Sequence, residues 1–185
     1  NEESFLLQKL ARELIKTENL DFSHGAIHRS ISAKWEASFG TQKLPGDLSN
    51  IEKAKTIVIV GGNVEESHQI VSLRVKDAVT KNGAKLILIS NLWSELVSFA
   101  EVWLQPQAGF EPHVIDALTK FLEGTPYDIS GYVDNKNFKK AASLLKEIKI
   151  LEDNNLSIIY APTAVYGETF AEMEAAAIAN LSITT

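Results

Sequence analysis

Apolar residues fall into two spacings along the chain. Near-continuous runs stand at Thr56-Ile57-Val58-Ile59-Val60, Lys85-Leu86-Ile87-Leu88-Ile89 and Leu156-Ser157-Ile158-Ile159-Tyr160, with a brief one at Val102-Trp103-Leu104. Such runs, without polar alternation, predict strands buried on both faces, as in a parallel sheet. Between them the spacing changes to three and four. Val71, Val75 and Ala78 mark a helix running from Val64 to Asn82-Gly83, and Ile115, Leu118, Phe121 and Leu122 mark one opened by Pro112. Phe138, Ala141, Ala142, Leu145 and Ile148 make a third amphipathic stripe, and Leu7, Leu10, Ala11, Leu14 and Ile15 a stripe over residues 4–16. A short helix is expected at Ser94–Phe99 and a polar loop from Gly124 to Asn137.

Boundary residues sharpen these elements. Asn63 with Glu66, and Thr169 with Glu172, have capping-box spacing, so each pair is expected to open a helix. Gly83 and Gly124 suit left-handed closing positions. Asp47 is placed to cap a short turn through Ile51. Residues 19–46 show no clear period and include Gly25, Gly40, Pro45 and Gly46, so they read as an irregular connection. The expected fold class is α/β: a Rossmann-like parallel sheet of about four strands with helices on both faces and a right-handed βαβ unit at its centre. Residues 51–185 would form that domain. Residues 1–50 would pack on its core or on a neighbouring domain.

Composition narrows the function. The chain has 185 residues, 45% hydrophobic and 23% charged, with a net charge of −6, so it lacks the basic stripe of a nucleic-acid binder. No apolar run reaches the roughly 20 residues of a membrane span. With no cysteine, thiol nucleophiles and cysteine-held clusters are excluded from this segment. A start at Asn1 and an end within an apolar run at Leu181–Thr185 suggest a piece of a longer protein.

The stretch Gly61-Gly62-Asn63 follows a strand and precedes a helix, where backbone amides can cradle a phosphate; it can equally be a simple chain reversal. Neither the dinucleotide GxGxxG nor the Walker pattern is met. Glu65 and Glu66 at that helix start would repel a phosphate unless a cation compensates. His68 lies near the same turn, facing its mouth or solvent. His24 and His28 have metal-binding spacing but nothing completes a ligand set, and His113 is expected at the surface. Trp35, Trp93 and Trp103 read as core or interface material or as an aromatic pocket. Asp128 and Asp134 read as solvated, and no serine–histidine–acid set can be assembled.

Three stretches carry a family resemblance. Asn1-Glu2-Glu3-Ser4-Phe5-Leu6-Leu7-Gln8-Lys9-Leu10-Ala11-Arg12 resembles an N-E-E-x-Y-x-x-Q-K-x-A-R helix, and Gly61 to His68 a G-x-N-P-x-x-x-H-P turn. Lys85 to Gly109 resembles K-L-I-V-I-D-P-R-x-T-E-L-x-x-x-A-D-x-W-L-x-x-x-P-G-T-D. These are motifs of the molybdopterin oxidoreductase family. The resemblance implies a Rossmann-like domain that helps hold a molybdopterin guanine dinucleotide. Gly62, Asn63, His68 and Ser90 would be its vestigial cofactor-binding residues, with no catalytic residue and no metal ligand in this segment. Departures are specific. Val64 replaces proline, Ser90-Asn91-Leu92 lacks the acid and the arginine, and Ala108-Gly109-Phe110-Glu111 loses the threonine and lengthens the acid. Each lost charge-assisted bond is worth roughly 1.5–3 kcal/mol.

Within the family the sequence looks most like the large peripheral subunit of bacterial NADH–quinone oxidoreductase (respiratory complex I). That likeness implies a structural, interaction-bearing domain with no cofactor in this fragment. Iron–sulfur clusters would lie elsewhere in the full-length protein, and other subunits of the respiratory complex would be the partners. Its location would be cytoplasmic, peripheral to the inner membrane, without nucleic acid or membrane insertion. Two alternatives stand beside it: a fragment of a catalytic, formate dehydrogenase-like enzyme, and a nucleotide-binding module.

Overall fold

The structure is a computed structural model that describes residues 2–21, 25–41, 46–151, 155–162 and 167–185. Four strands, β1 (Thr56–Gly61), β2 (Lys85–Ile89), β3 (Val102–Leu104) and β4 (Leu156–Ala161), form one sheet in the order β3-β2-β1-β4. Every pairing is parallel. Alternate residues of β1 and β2 feed two separate cores. Val58, Val60, Ile87 and Ile89 pack on one face with α6 (Glu111–Glu123), α7 (Asn135–Leu151) and α8 (Gly167–Thr184). Ile57, Ile59, Leu86 and Leu88 pack on the other with α3 (Leu48–Lys53), α4 (Val64–Ser67), α5 (Gln69–Asn82) and a 3-10 turn at Glu95–Phe99. The doubly covered parallel sheet is therefore the fold, and the continuous apolar runs follow from it.

Several boundaries match the residues that set them. Asp47 accepts from the amides of Ser49 (2.7 Å) and Asn50 (3.1 Å) and caps α3. Gly83 and Gly124 close α5 and α6 at φ 72° and 73°. Pro112 sits in the first turn of α6, where its missing N–H has no partner to lose.

Other expectations need correction. Residues 25–39 are not an irregular connection: they form α2 (Gly25–Phe39). Ile27, Ile31 and Trp35 recur every four residues on the side turned to α8, where they pack with Ala171 and Ala175. That period is present in the sequence but diluted by polar neighbours and by Gly25. The helix after β1 is not continuous: α4 lasts one turn and the backbone breaks at His68 (φ −142°, ψ 65°) before α5 begins. α7 begins at Asn135 inside the stretch expected to be loop, with the Asp134 carboxylate accepting from the Asn137 amide (2.9 Å). Asp128 likewise holds a turn through the Ser130 amide (2.8 Å), so neither carboxylate is merely solvated. Thr169 does not open α8, which has already started at Gly167. β4 is half-buried along most of its length, because it is an end strand rather than an internal one. Residues 2–15 are helical, α1 (Glu2–Lys9) running into a wider π turn over Leu10–Ile15, yet only Ala11 of that stripe is buried.

Candidate functional site at the carboxyl edge of the sheet

In an open parallel sheet, ligands collect beyond the carboxyl ends of the strands, where the strand order reverses. Here the reversal falls at β1, which has β2 on one side and β4 on the other. Gly61 ends β1 with φ +101°, and a Cβ there would lie 2.2 Å from the Ala161 carbonyl oxygen. The first glycine is thus required by the close approach of β4. The Gly62 amide donates to that same carbonyl at 2.7 Å and is not free to meet a phosphate. Asn63 Oδ1 accepts from the Glu65 amide (3.0 Å) and caps α4, so the expected partnership of Asn63 with Glu66 is not the one formed.

Glu65 turns inward. Its carboxylate accepts from the Leu96 amide (3.1 Å) and pairs with Lys76 Nζ (2.7 Å), which also reaches Glu95 (2.8 Å). Burial pushes the Glu65 carboxyl up, but the Lys76 bond and the Leu96 amide outweigh it and hold it below its usual value. The cation needed to offset an acid at this turn therefore exists, but it is committed to Glu65 and Glu95.

The turn after β2 is similarly self-contained. Ser90 Oγ accepts from the Leu92 amide (3.2 Å), and the Ser90 carbonyl accepts from Trp103 Nε1 (2.9 Å). Leu92 and Trp93 project into solvent at 56% and 68% exposure. Gly62, Asn63 and Ser90 do come together, lining one crevice with Ile59, Leu88 and Leu96, but it encloses only about 10 Å³. That is room for about one water, against the roughly 300–1,000 Å³ of a small-molecule site. His68 is not part of it; it lines a separate open depression with Leu48, Glu66 and Ile70. The residues present here do not fit a guanine dinucleotide. Asn91 and Leu92 offer no charge to it, the Gly62 amide is turned to the Ala161 carbonyl, and the Asn63 side-chain oxygen is taken up by the Glu65 amide.

A second polar group at this edge has no counterpart among the sequence candidates. Glu174 of α8 is 1% exposed and accepts from the Tyr160 hydroxyl at 2.8 Å. Burial drives its carboxyl up to about 7, with the Tyr160 bond opposing and the Glu111 charge adding to the rise. Glu111 is 3% exposed and is also raised by burial, against the bond it accepts from the Gly109 amide (2.9 Å). Burial and the Glu174 charge hold the Tyr160 hydroxyl above its usual range. Trp35 of α2 meets the Tyr160 ring edge-on at 6.1 Å, and its buried indole N–H has no partner among the described residues. The sequence signal for this cluster is a carboxylate inside the alanine-rich stretch Ala171–Ile178.

The remaining candidates do not assemble. Among the described residues, no group of three His, Asp or Glu side chains has metal-binding geometry. His24 lies outside those residues, and His28 and His113 are exposed. Among the described residues no helix is long and apolar enough to cross a membrane.

Comparison with known proteins supplies the family. Residues 1–120 match the model described as molybdopterin oxidoreductase. The chain is 33% identical over 122 residues to the "Probable oxidoreductase YjgC" of Bacillus subtilis (strain 168), covering 66% of this chain and 12% of that protein. It is 28% identical over 149 residues to the F420-dependent formate dehydrogenase subunit alpha of Methanocaldococcus jannaschii, covering 80% and 22%. It is 32% identical over 122 residues to the F420-dependent formate dehydrogenase 1 subunit alpha of Methanococcus maripaludis, covering 66% and 18%. The chain thus spans less than a quarter of the length of each of these relatives. With a matched stretch that takes in the first helices, β1, β2 and β3, the chain belongs to the molybdopterin oxidoreductase family.

Proposed function

We propose that this chain is the Rossmann-like domain of a formate dehydrogenase-like molybdopterin oxidoreductase, and that it serves there as a scaffold. The carrying observation is the likeness to proteins named formate dehydrogenase, which favours this reading over that of the large peripheral subunit of complex I. The scaffold role is supported by the carboxyl edge, where the Gly62 amide is held by the Ala161 carbonyl, Ser90 is engaged with Leu92, and the crevice between them is uncharged. The molybdopterin, when bound by the full-length protein, would supply the redox chemistry. This chain's residues would hold the shape of one wall. Iron–sulfur clusters, if the protein carries them, sit on cysteines outside this cysteine-free segment.

The test is made on the full-length polypeptide. Molybdenum, pterin fluorescence after oxidation, and formate-dependent dye reduction are expected together. Asn63→Ala and Ser90→Ala are expected to leave the molybdenum content unchanged. A loss of molybdenum in either variant would overturn the scaffold role.

The second reading is a structural domain of the large peripheral subunit of NADH–quinone oxidoreductase, without molybdopterin. One observation favours it: the turn after β2 carries Asn91 and Leu92 in place of an acid and an arginine. It predicts a full-length protein with iron–sulfur absorption, no molybdenum, and NADH–quinone oxidoreductase subunits as co-purifying partners.

A further inference from the structure

β4 ends the sheet: one of its hydrogen-bonding edges faces β1, and no described residue pairs with the other. Its sequence, Leu156-Ser157-Ile158-Ile159-Tyr160-Ala161, carries none of the devices that protect an exposed edge. It has no charge, no proline and no bulge in its register with β1. Leu156, Ile158 and Tyr160 meet one core, and Ile159 and Ala161 meet the other, on the face that also carries Ser157. A strand with that pattern is built to be internal to a parallel sheet, yet Leu156 to Tyr160 are only half-buried.

A groove of about 630 Å³ runs along this edge. Leu48, Ile51 and Val71 form its wall on the α3 and α5 side, and Ile148, Ser182 and Thr185 form the other wall. On the α5 side the apolar surface continues outward to Ile70, which is 58% exposed.

Chain direction identifies the occupant. The chain steps from β1 to β2 to β3 with its connections on the α5 face, then returns past β1 to β4 with α6 and α7 on the opposite face. Reversing direction while changing face preserves the right hand of the crossovers. α8 lies on the α6 face, through Ala177, Ile178 and Leu181. A right-handed crossover through α8 therefore leads outward, beyond β4. Its last turn, at Ser182 and Thr185, stands in the groove beside Leu156, where a parallel neighbour of β4 would start. The matched stretch covers 12–22% of these relatives, so proteins of this family contain further polypeptide outside it.

We propose that the edge of β4 left unpaired among the described residues is a docking site for a fifth parallel strand, supplied by further polypeptide of the full-length protein that follows α8. The strand hydrogen-bonds along Leu156–Ala161, and its side chains fill the groove between Ile51 and Ile148.

Hydrogen exchange on the full-length protein, with a photo-cross-linking residue placed at Ser157 in a parallel preparation, tests this. The amides of Leu156–Ala161 are expected to exchange within about tenfold of those of the central strand β1, at any protein concentration. The cross-link is expected to be intramolecular and to map to sequence following Thr185. Exchange about a hundredfold or more faster than β1 would overturn the proposal. So would a cross-link to a second copy, to another protein, or to sequence preceding β1, and so would protection that appears only on adding a partner.

Discussion

Two polar regions share the carboxyl edge of this sheet and are built on opposite plans. At the turns after β1 and β2, the side-chain caps are answered within a few residues, Asn63 by Glu65 and Ser90 by Leu92. On the flank where α2 lies against α8, partners come from far along the chain. Ser30 donates to Glu168, and Tyr160 to Glu174 under the Trp35 ring. Local satisfaction leaves groups near water, where each is cheap to lose. Distant satisfaction buries them, where charge is costly and an unmet donor stays unmet. The turns look like a site and are chiefly architecture. The flank looks like packing and holds the groups whose titration is most displaced.

Gly61→Ala challenges this contrast most severely. Its methyl would meet the Ala161 carbonyl at 2.2 Å in a backbone of φ +101°. A loss of roughly 3–5 kcal/mol is expected, read from urea unfolding. A change below about 1 kcal/mol would mean that the β1 turn is not fixed by its contact with β4.

Glu174 gives the next largest effect. Its carboxyl moves from an ordinary 4.5 to about 7 in the folded chain. The native state therefore keeps its proton to higher pH than the unfolded state does. Its contribution is fully present below about pH 4.5 and is lost as pH rises through about 7, a swing of about 3 kcal/mol. Depressed carboxylates such as Glu65 and Glu101 act in the opposite sense. The informative quantity is thus wild type against Glu174→Gln at each pH. The variant is expected to match wild type near pH 4.5 and to exceed it by up to about 3 kcal/mol at pH 8.

Smaller effects separate the regions further. Trp35→Phe keeps a ring over Tyr160 and removes an unpaired buried N–H, so thermal unfolding should show a neutral result or a gain of about 1 kcal/mol. Asn63→Ala removes a cap and should lose about 1 kcal/mol, whereas Ser90→Ala, at an already hydrogen-bonded surface turn, should stay within about 0.5 kcal/mol.

Much of the scaffold is legible in the chain because it rests on short-range spacing. The runs at Thr56–Val60 and Lys85–Ile89 place β1 and β2, and Pro112, Gly83 and Gly124 place helix ends. α2 is not legible in the same way, because its apolar face is only Ile27, Ile31 and Trp35, a stripe given meaning by Ala171 and Ala175 some 140 residues away. The site is half legible. Gly62, Asn63 and Ser90 do meet at one edge, but nothing local shows that the Gly62 amide is held by Ala161 or that His68 faces another depression.

Short-range pattern is enough to set the alternation of buried strands and amphipathic helices, since each depends on a period of a few residues acting on neighbouring backbone. Long-range packing settles which glycine is obligatory, which carboxylates are shut away from water, and which strand stands at the end of the described sheet. Those outcomes depend on groups brought together across most of the chain, where burial and close approach set the energy and no local pattern records them.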